Sequence, residues 1–189
     1  MINLKNYYLH GTAGINGKYI KYHTILLILD DHKLATAKSM GFDKSVVFMK
    51  LDELCLCDRS IKPKLFRKKS YFSSYEIFVS RSPTLVFNRS LEVYRPKLIT
   101  LNENGTIGTT NMYDEVRHEG DISLDHLEFI TYPISNENEI ERLEIFREQL
   151  LYIKKNHPGV QVFDLLSKKA VDVEFVENQM RRALKKHCN

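Results

Sequence analysis

The first 134 residues contain short apolar runs and alternating apolar and polar positions, a pattern typical of β-strands. The runs occupy residues 4–9, 45–57, 84–87, 114–118 and 127–132. Residues 19–29 favour a helix by their length, although their five consecutive apolar residues also suit a strand. Pro133 is expected to end the sheet, because proline cannot donate to a strand ladder. The pattern predicts a sheet of about five to seven short strands.

Helical spacing replaces this alternation after residue 134. Apolar residues recur every three or four positions at Ile140, Leu143, Phe146, Leu150 and Ile153. Ser135 is expected to cap this helix, and residues 157–159 (HPG) are expected to stop it. A last helix has Val173, Val176, Met180 and Leu184 on its apolar side. We therefore predict an α+β protein with a sheet domain over residues 1–134 and a helical C-terminal extension over residues 135–189 packed on it.

The composition is typical of an ordinary globular protein, with 189 residues, 43% hydrophobic and 28% charged. Three cysteines argue against a disulfide framework and for a reducing compartment. Cys55 and Cys57 lack the second ligand pair of a zinc site, so no metal is expected. The longest apolar run, residues 25–29, is far shorter than the roughly 20 residues that span a bilayer. We expect a cytoplasmic protein without a membrane span, or an effector exported without a cleavable signal peptide.

The net charge of +4 conceals an uneven distribution, with +9 over residues 1–100 and −5 over residues 101–189. Six cations lie within the basic segment, residues 59–69, and they are Arg59, Lys62, Lys64, Arg67, Lys68 and Lys69. Such a segment is often a solvated loop. It could equally bind the phosphates of a nucleic acid or a dinucleotide, or attract an acidic protein.

Three segments in chain order resemble the ADP-ribosyltransferase superfamily, in its branch with a His-Tyr-Glu triad that includes diphtheria-type toxins and poly-ADP-ribose polymerases. They are YYLHGT over residues 7–12 with ILLIL and DDHKLAT over residues 25–36, YFSSYEIFVSRSPTLVF over residues 71–87, and DEVRHEGDISLDHLEFITYP over residues 114–133. The resemblance implies a split antiparallel β-sheet core and NAD as the co-substrate. It also implies His10, Tyr75 and Glu115 as the catalytic residues, facing one cleft.

The resemblance assigns a role to each residue. Glu115 would support the positive charge that develops on the ribose when the bond to nicotinamide breaks. Glu119 is the alternative acid if the register of this strand differs by a turn from the register that makes Glu115 the acid. The residues implied in NAD binding are His10, for a ribose hydroxyl, Gly11 and Thr12, for the nicotinamide amide, and Tyr71 or Tyr75, for stacking on nicotinamide.

The expected function is transfer of ADP-ribose to a protein or nucleic-acid acceptor, as in a bacterial toxin or effector. The basic segment would then bind the acceptor or a phosphate. Tyr113 stands two residues before Glu115, where arginine-directed toxins have Glu or Gln, so arginine is a doubtful acceptor. Two alternatives are a non-catalytic module that binds nucleic acid or an acidic protein through the basic segment, and an enzyme like an RNA 2′-phosphotransferase. An RNA 2′-phosphotransferase needs a cluster of catalytic arginines, which the first of the three resembling segments lacks.

Overall fold

The computed structural model describes residues 2–12, 29, 33–34, 52–62, 73, 75–96 and 113–187. Most of the helix expected over residues 19–29 lies outside these ranges, as do residues 45–51 of one expected strand. The following description concerns the described residues alone.

A six-stranded sheet forms the centre of the fold. Its strands in spatial order are β5 (Glu115–Glu119), β3 (Glu53–Cys57), β1 (Tyr8–Gly11), β4 (Thr84–Phe87), β7 (Leu127–Tyr132) and β8 (Val162–Asp164). All neighbours are antiparallel except β7 and β8. A separate two-stranded sheet pairs β2 (Lys33–Leu34) with β6 (Ile122–Ser123). With its helices, the chain has a mixed α+β fold, as the alternation pattern predicted.

The strands expected over residues 84–87 and 127–132 are confirmed, and the one expected over residues 114–118 is displaced by one residue. The strand expected over residues 4–9 is wrong in its first half, where a 3-10 turn, Leu4–Asn6, precedes β1. Pro133 does not end the sheet, because β8 adds a parallel strand beside β7. Three residues are too short to show a period of two, so β8 carried no signal in the sequence.

Two helices follow the antiparallel part of the sheet. Helix α1 (Ile140–Asn156) and helix α2 (Val173–His187) pack against each other. Ser135 does not cap α1: Glu139 stands at the N-cap, and the Ser135 hydroxyl donates to Asp164 at 2.7 Å. Leu184 was expected on the apolar side of α2 but is 51% exposed, and Ala183 is fully buried there instead.

The sheet is covered on both faces. On the helix face, side chains of β3, β4 and β7 form one core with α1 and α2; its members include Leu54, Leu56, Leu85, Ile130, Tyr132, Phe146 and Val176. On the second face, Cys57, Val86 and Phe129 of the same strands form a smaller core with Leu9 of β1 and with Leu165. Successive residues of a strand point to opposite faces of the sheet, so the position of a residue in its strand decides which core its side chain joins.

Candidate functional site

Strands β1 and β3 separate beyond one cross-strand pair, Leu9 with Cys57. Arg117 on β5 exchanges both backbone hydrogen bonds with Tyr94, each at 2.8 Å, so its cross-strand partner Cys55 points its own backbone groups toward β1. The carbonyl of Cys55 accepts a hydrogen bond from Nδ1 of His10 at 2.9 Å. The imidazole thus lies in the gap between the two strands, which we call the fork.

The chemistry of His10 follows from this position. A carbonyl can only accept, so Nδ1 carries the hydrogen. Burial lowers the pKa of His10, and the bond to Cys55 opposes that effect only in part. The ring is therefore neutral at pH 7, with Nε2 as its acceptor.

Glu115 belongs to a buried ionic cluster, formed by Glu53, Cys55, Tyr94, Glu115 and Arg117. Arg117 pairs through Nε with Oε1 of Glu115 at 2.8 Å and through Nη1 with Oε2 of Glu53 at 2.7 Å. The Tyr94 hydroxyl donates to Glu53, and the Cys55 thiol lies 3.4 Å from Oε1 of Glu115. All three charged residues are at most 7% exposed. One cation thus serves two buried carboxylates.

Cys55 is a hydrogen-bond donor in this cluster rather than a nucleophile. Burial raises the pKa of its thiol well above the ordinary range, and the negative charge of Glu115 raises it further. A thiol that stays protonated at neutral pH is a poor nucleophile. Cys55 is therefore a strand cysteine whose thiol contacts the Glu115 carboxylate.

His10 and Glu115 leave the sheet on opposite faces. His10 follows Leu9, which packs in the core of the second face, so the imidazole points toward the helix face. Glu115 pairs directly with Cys57, a member of that same second-face core, so its carboxylate points toward the second face. Cys55 contacts both residues, His10 through its carbonyl and Glu115 through its thiol. The structure thus differs from the single shared cleft that the resemblance implies.

Tyr75 lies on the same face as Glu115. It begins a short π-helical turn, Tyr75–Val79, and packs against the core of the second face. Asp114 attaches this turn to the start of β5, because its Oδ2 accepts from the Ser73 hydroxyl at 2.7 Å and from the Tyr75 amide at 3.2 Å. Asp114 was not singled out in the sequence, where nothing distinguishes a buried acid before a strand from a solvated one.

The ring of Tyr75 is already covered on one side. The guanidinium of Arg59 lies 3.8 Å from the ring centroid. Tyr75 can therefore stack on nicotinamide at that side only if Arg59 moves. Tyr71, the other ring expected to stack, lies outside the described residues.

Gly11 and Thr12 end β1 against β4. Gly11 pairs with Thr84. The amide and the hydroxyl of Thr12 both donate to the carbonyl of Pro83, at 3.1 and 2.8 Å. Since both donors of Thr12 are engaged, its expected contact with a nicotinamide amide would use Thr12 as an acceptor, through its hydroxyl oxygen or its carbonyl.

The remaining expected residues are divided between described and undescribed parts of the chain. Arg59 is half-buried and Lys62 is exposed. Glu119, the alternative acid, is exposed at the end of β5, whereas Glu115 is buried. Four cations of the basic segment, Lys64, Arg67, Lys68 and Lys69, lie outside the described residues.

A half-open cavity of about 260 Å³ lies at the start of β7, away from the fork. Its walls are mainly apolar, with Glu128 and His157 as the polar residues; the apolar lining includes Leu29, Leu124, Leu127 and Val160. The expected catalytic residues do not line it. It is therefore a feature separate from the fork and the ionic cluster.

In the part of the chain that the structure describes, no group of histidine, cysteine or carboxylate side chains has an arrangement that could hold a metal ion. No helix there is long and apolar enough to cross a membrane. Comparison of the chain with protein-family models, curated proteins and solved structures finds no match.

Proposed function

We propose that this chain is an NAD-dependent ADP-ribosyltransferase whose catalytic carboxylate is Glu115. The observation that carries the proposal is the position of this buried carboxylate, which contacts Cys55 while Cys55 in turn contacts the imidazole in the fork. Glutamates are seldom buried this deeply unless they are paired, and the ion pair with Arg117 holds this carboxylate in a fixed position.

The geometry of the carboxylate suits the proposed chemistry. Cleavage of the bond to nicotinamide develops positive charge on the ribose, and a carboxylate held in place stabilises that charge. The contacts from Arg117 and Cys55 both go to Oε1 of Glu115. They would orient the group, and Oε2 would face the sugar.

His10 supplies the second polar contact in the proposal. Its Nε2 is an acceptor, as a ribose hydroxyl requires. Because the imidazole and the carboxylate leave opposite faces of the sheet, the proposal requires the dinucleotide to enter the fork between β1 and β3 and reach both. The acceptor would be a protein or a nucleic acid, selected by the basic segment.

The test uses labelled NAD with the purified protein and a cell lysate, and follows both transfer of label and release of nicotinamide. Glu115→Gln is expected to lower the rate by about 10²- to 10³-fold, the usual effect of removing one electrostatic contact to the transition state. Glu53→Gln is the matched control, because it also neutralises one carboxylate of Arg117. Glu53→Gln should retain most of the activity once the fraction of folded protein has been measured.

Three results would contradict the proposal. The first is a wild-type protein that neither transfers label nor hydrolyses NAD. The second is an equal loss of activity in Glu115→Gln and Glu53→Gln, which would make the ionic cluster purely structural. The third is loss of activity in Glu119→Gln with none in Glu115→Gln, which would assign the acid to the exposed end of β5. A protein without NAD turnover that still binds nucleic acid would be the non-catalytic binding module.

A further inference from the structure

Glu128 is the extra residue of a β-bulge at the start of β7. Val86 of β4 pairs with Phe129 of β7. The next residue of β4, Phe87, pairs with Leu127, so the ladder passes over Glu128. Leu127 accordingly packs on the helix-face core and Phe129 on the second-face core, although residues two apart in a regular strand share a face. Bulges redirect side chains in this way, and they are frequent beside binding and catalytic sites.

The bulge lies at the wall of the half-open cavity of about 260 Å³, to which both Leu127 and Glu128 contribute. The turn between α1 and β8 contributes His157, Gly159 and Val160. Gly159 lies outside the left-handed region, and a Cβ at its position would meet no other atom within 4 Å. Neither the backbone nor the packing therefore requires a glycine there. Its missing side chain leaves this part of the wall open.

The lining combines apolar walls with a single carboxylate. Leu29, Leu127 and Val160 belong to the helix-face core or pack against it, so the cavity is continuous with an apolar interior. Glu128 is exposed, which places its carboxylate at the rim. The lining contains no lysine or arginine, and the ion pairs among the described residues do not include Glu128. Pockets of this kind use their apolar walls for affinity and their few polar groups to orient a ligand.

The volume of the cavity limits the size of a ligand. An apolar cavity of about 150 Å³ binds benzene, whereas pockets for drug-sized molecules occupy about 300–1,000 Å³. This cavity lies between these two sizes. It has room for one ring with a short side chain.

We propose that this cavity binds a small organic amine, with its apolar body against Leu127 and Val160 and its ammonium group at Glu128. The ammonium donates charge-assisted hydrogen bonds to the carboxylate, which fixes the orientation of the ligand. Burial of the ring supplies the hydrophobic part of the affinity. His10, Tyr75 and Glu115 do not line the cavity, so the site is independent of NAD cleavage and of the proposed function.

The experiment is an NMR titration of the isotope-labelled protein with phenethylamine at pH 7. We expect saturable shifts of the backbone amide signals of Leu127, Glu128 and Val160. Glu128→Gln keeps the shape of the side chain and removes its charge, so the Kd should rise about fivefold, as for loss of one charge-assisted contact in an open site. Glu144→Gln is the matched control: Glu144 is an exposed glutamate of α1 outside the lining, and its variant should have the Kd of the wild type.

Two further probes separate the charge of the ligand from its ring. Phenethyl alcohol replaces the ammonium by a hydroxyl; it should bind the wild type about fivefold more weakly, and Glu128→Gln should leave its Kd unchanged. Propylamine lacks the ring and should bind about tenfold or more weakly, because it buries less apolar surface.

Glu115→Gln should leave the Kd for phenethylamine unchanged even where NAD turnover is lost, which separates this proposal from the proposed function. The proposal is overturned if the wild type does not bind phenethylamine, or if the signals that shift lie away from the cavity. It is also overturned if Glu128→Gln binds as tightly as the wild type does, or if Glu144→Gln weakens binding equally.

Discussion

Replacement of Arg117 by methionine tests whether one cation supports the buried ionic cluster. Arg117 is the shared partner of Glu53 and Glu115, at 2.7 and 2.8 Å, and all three side chains are buried. Methionine fills much of the same volume without a charge. The variant therefore removes the ion pairs that Arg117 makes with two buried carboxylates on adjacent strands.

The expected cost is large. Removal of one partner of a buried ion pair typically lowers the free energy of unfolding by about 3–5 kcal/mol, because the remaining charge stays buried. Here two charges lose the same partner, so we expect the upper part of that range. Total stability of such a domain is about 5–15 kcal/mol, so Arg117→Met should be near the limit of folding at pH 7. Urea denaturation followed by circular dichroism measures the difference.

A charge-matched control separates this explanation from simple loss of packing. In the triple variant, Glu53→Gln and Glu115→Gln accompany Arg117→Met, so no buried charge is left unpaired. Stability should recover to within about 1.5 kcal/mol of the wild type, since neutral replacement of a buried ionic group is often tolerated. The reasoning is refuted if the triple variant is no more stable than Arg117→Met.

Three further predictions concern stability. Phe146→Ala should lower the free energy of unfolding by about 3–5 kcal/mol, because this ring is fully buried against Tyr132; Leu151→Ala on the exposed side of α1 should change it by no more than about 0.5 kcal/mol in chemical denaturation. Lys168→Gly should raise the melting temperature by roughly 2–4 °C, as relief of a positive φ is worth about 1 kcal/mol. Asp164→Asn should destabilise the protein by about 1–3 kcal/mol at pH 7, measured by urea denaturation.

The Asp164 prediction also has a pH dependence. Hydrogen bonds from Ser135 and Ser167 lower the pKa of Asp164 against the opposing effect of its burial. A lowered pKa stabilises the folded state above the ordinary pKa of about 3.9, and this contribution is lost as the pH falls through the lowered value. The wild type and Asp164→Asn should therefore converge in stability at acid pH. A constant difference between them from pH 7 down to pH 2 would contradict this assignment.

Local pattern was sufficient for several elements. Strand β7 coincides with the expected residues 127–132, and α1 buries Leu143, Phe146, Leu150 and Ile153 as their spacing predicts. In elements of this length, apolar residues recur several times on the buried face, so the period is visible in the sequence. Strand β8 has three residues and no period. The spacing of apolar residues predicted that Leu184 would be buried in α2, yet the neighbouring Ala183 is buried instead. Only the packing of α2 against α1 decides which of the two residues is buried.

The sequence by itself determined the α+β class of the fold, because alternation and helical spacing are local properties. The resemblance marked Glu115 as a residue to examine. The tertiary structure alone decided which residues meet. Arg117 binds Glu53, which lies 64 positions away in the chain, and Glu115, which lies 2 positions away. The pairing of β3 with β5 brings the three residues together. The face that each side chain occupies depends on cross-strand register, which is a long-range property. For that reason the sequence could identify His10 and Glu115 as candidates, but only the folded sheet could place them on opposite faces.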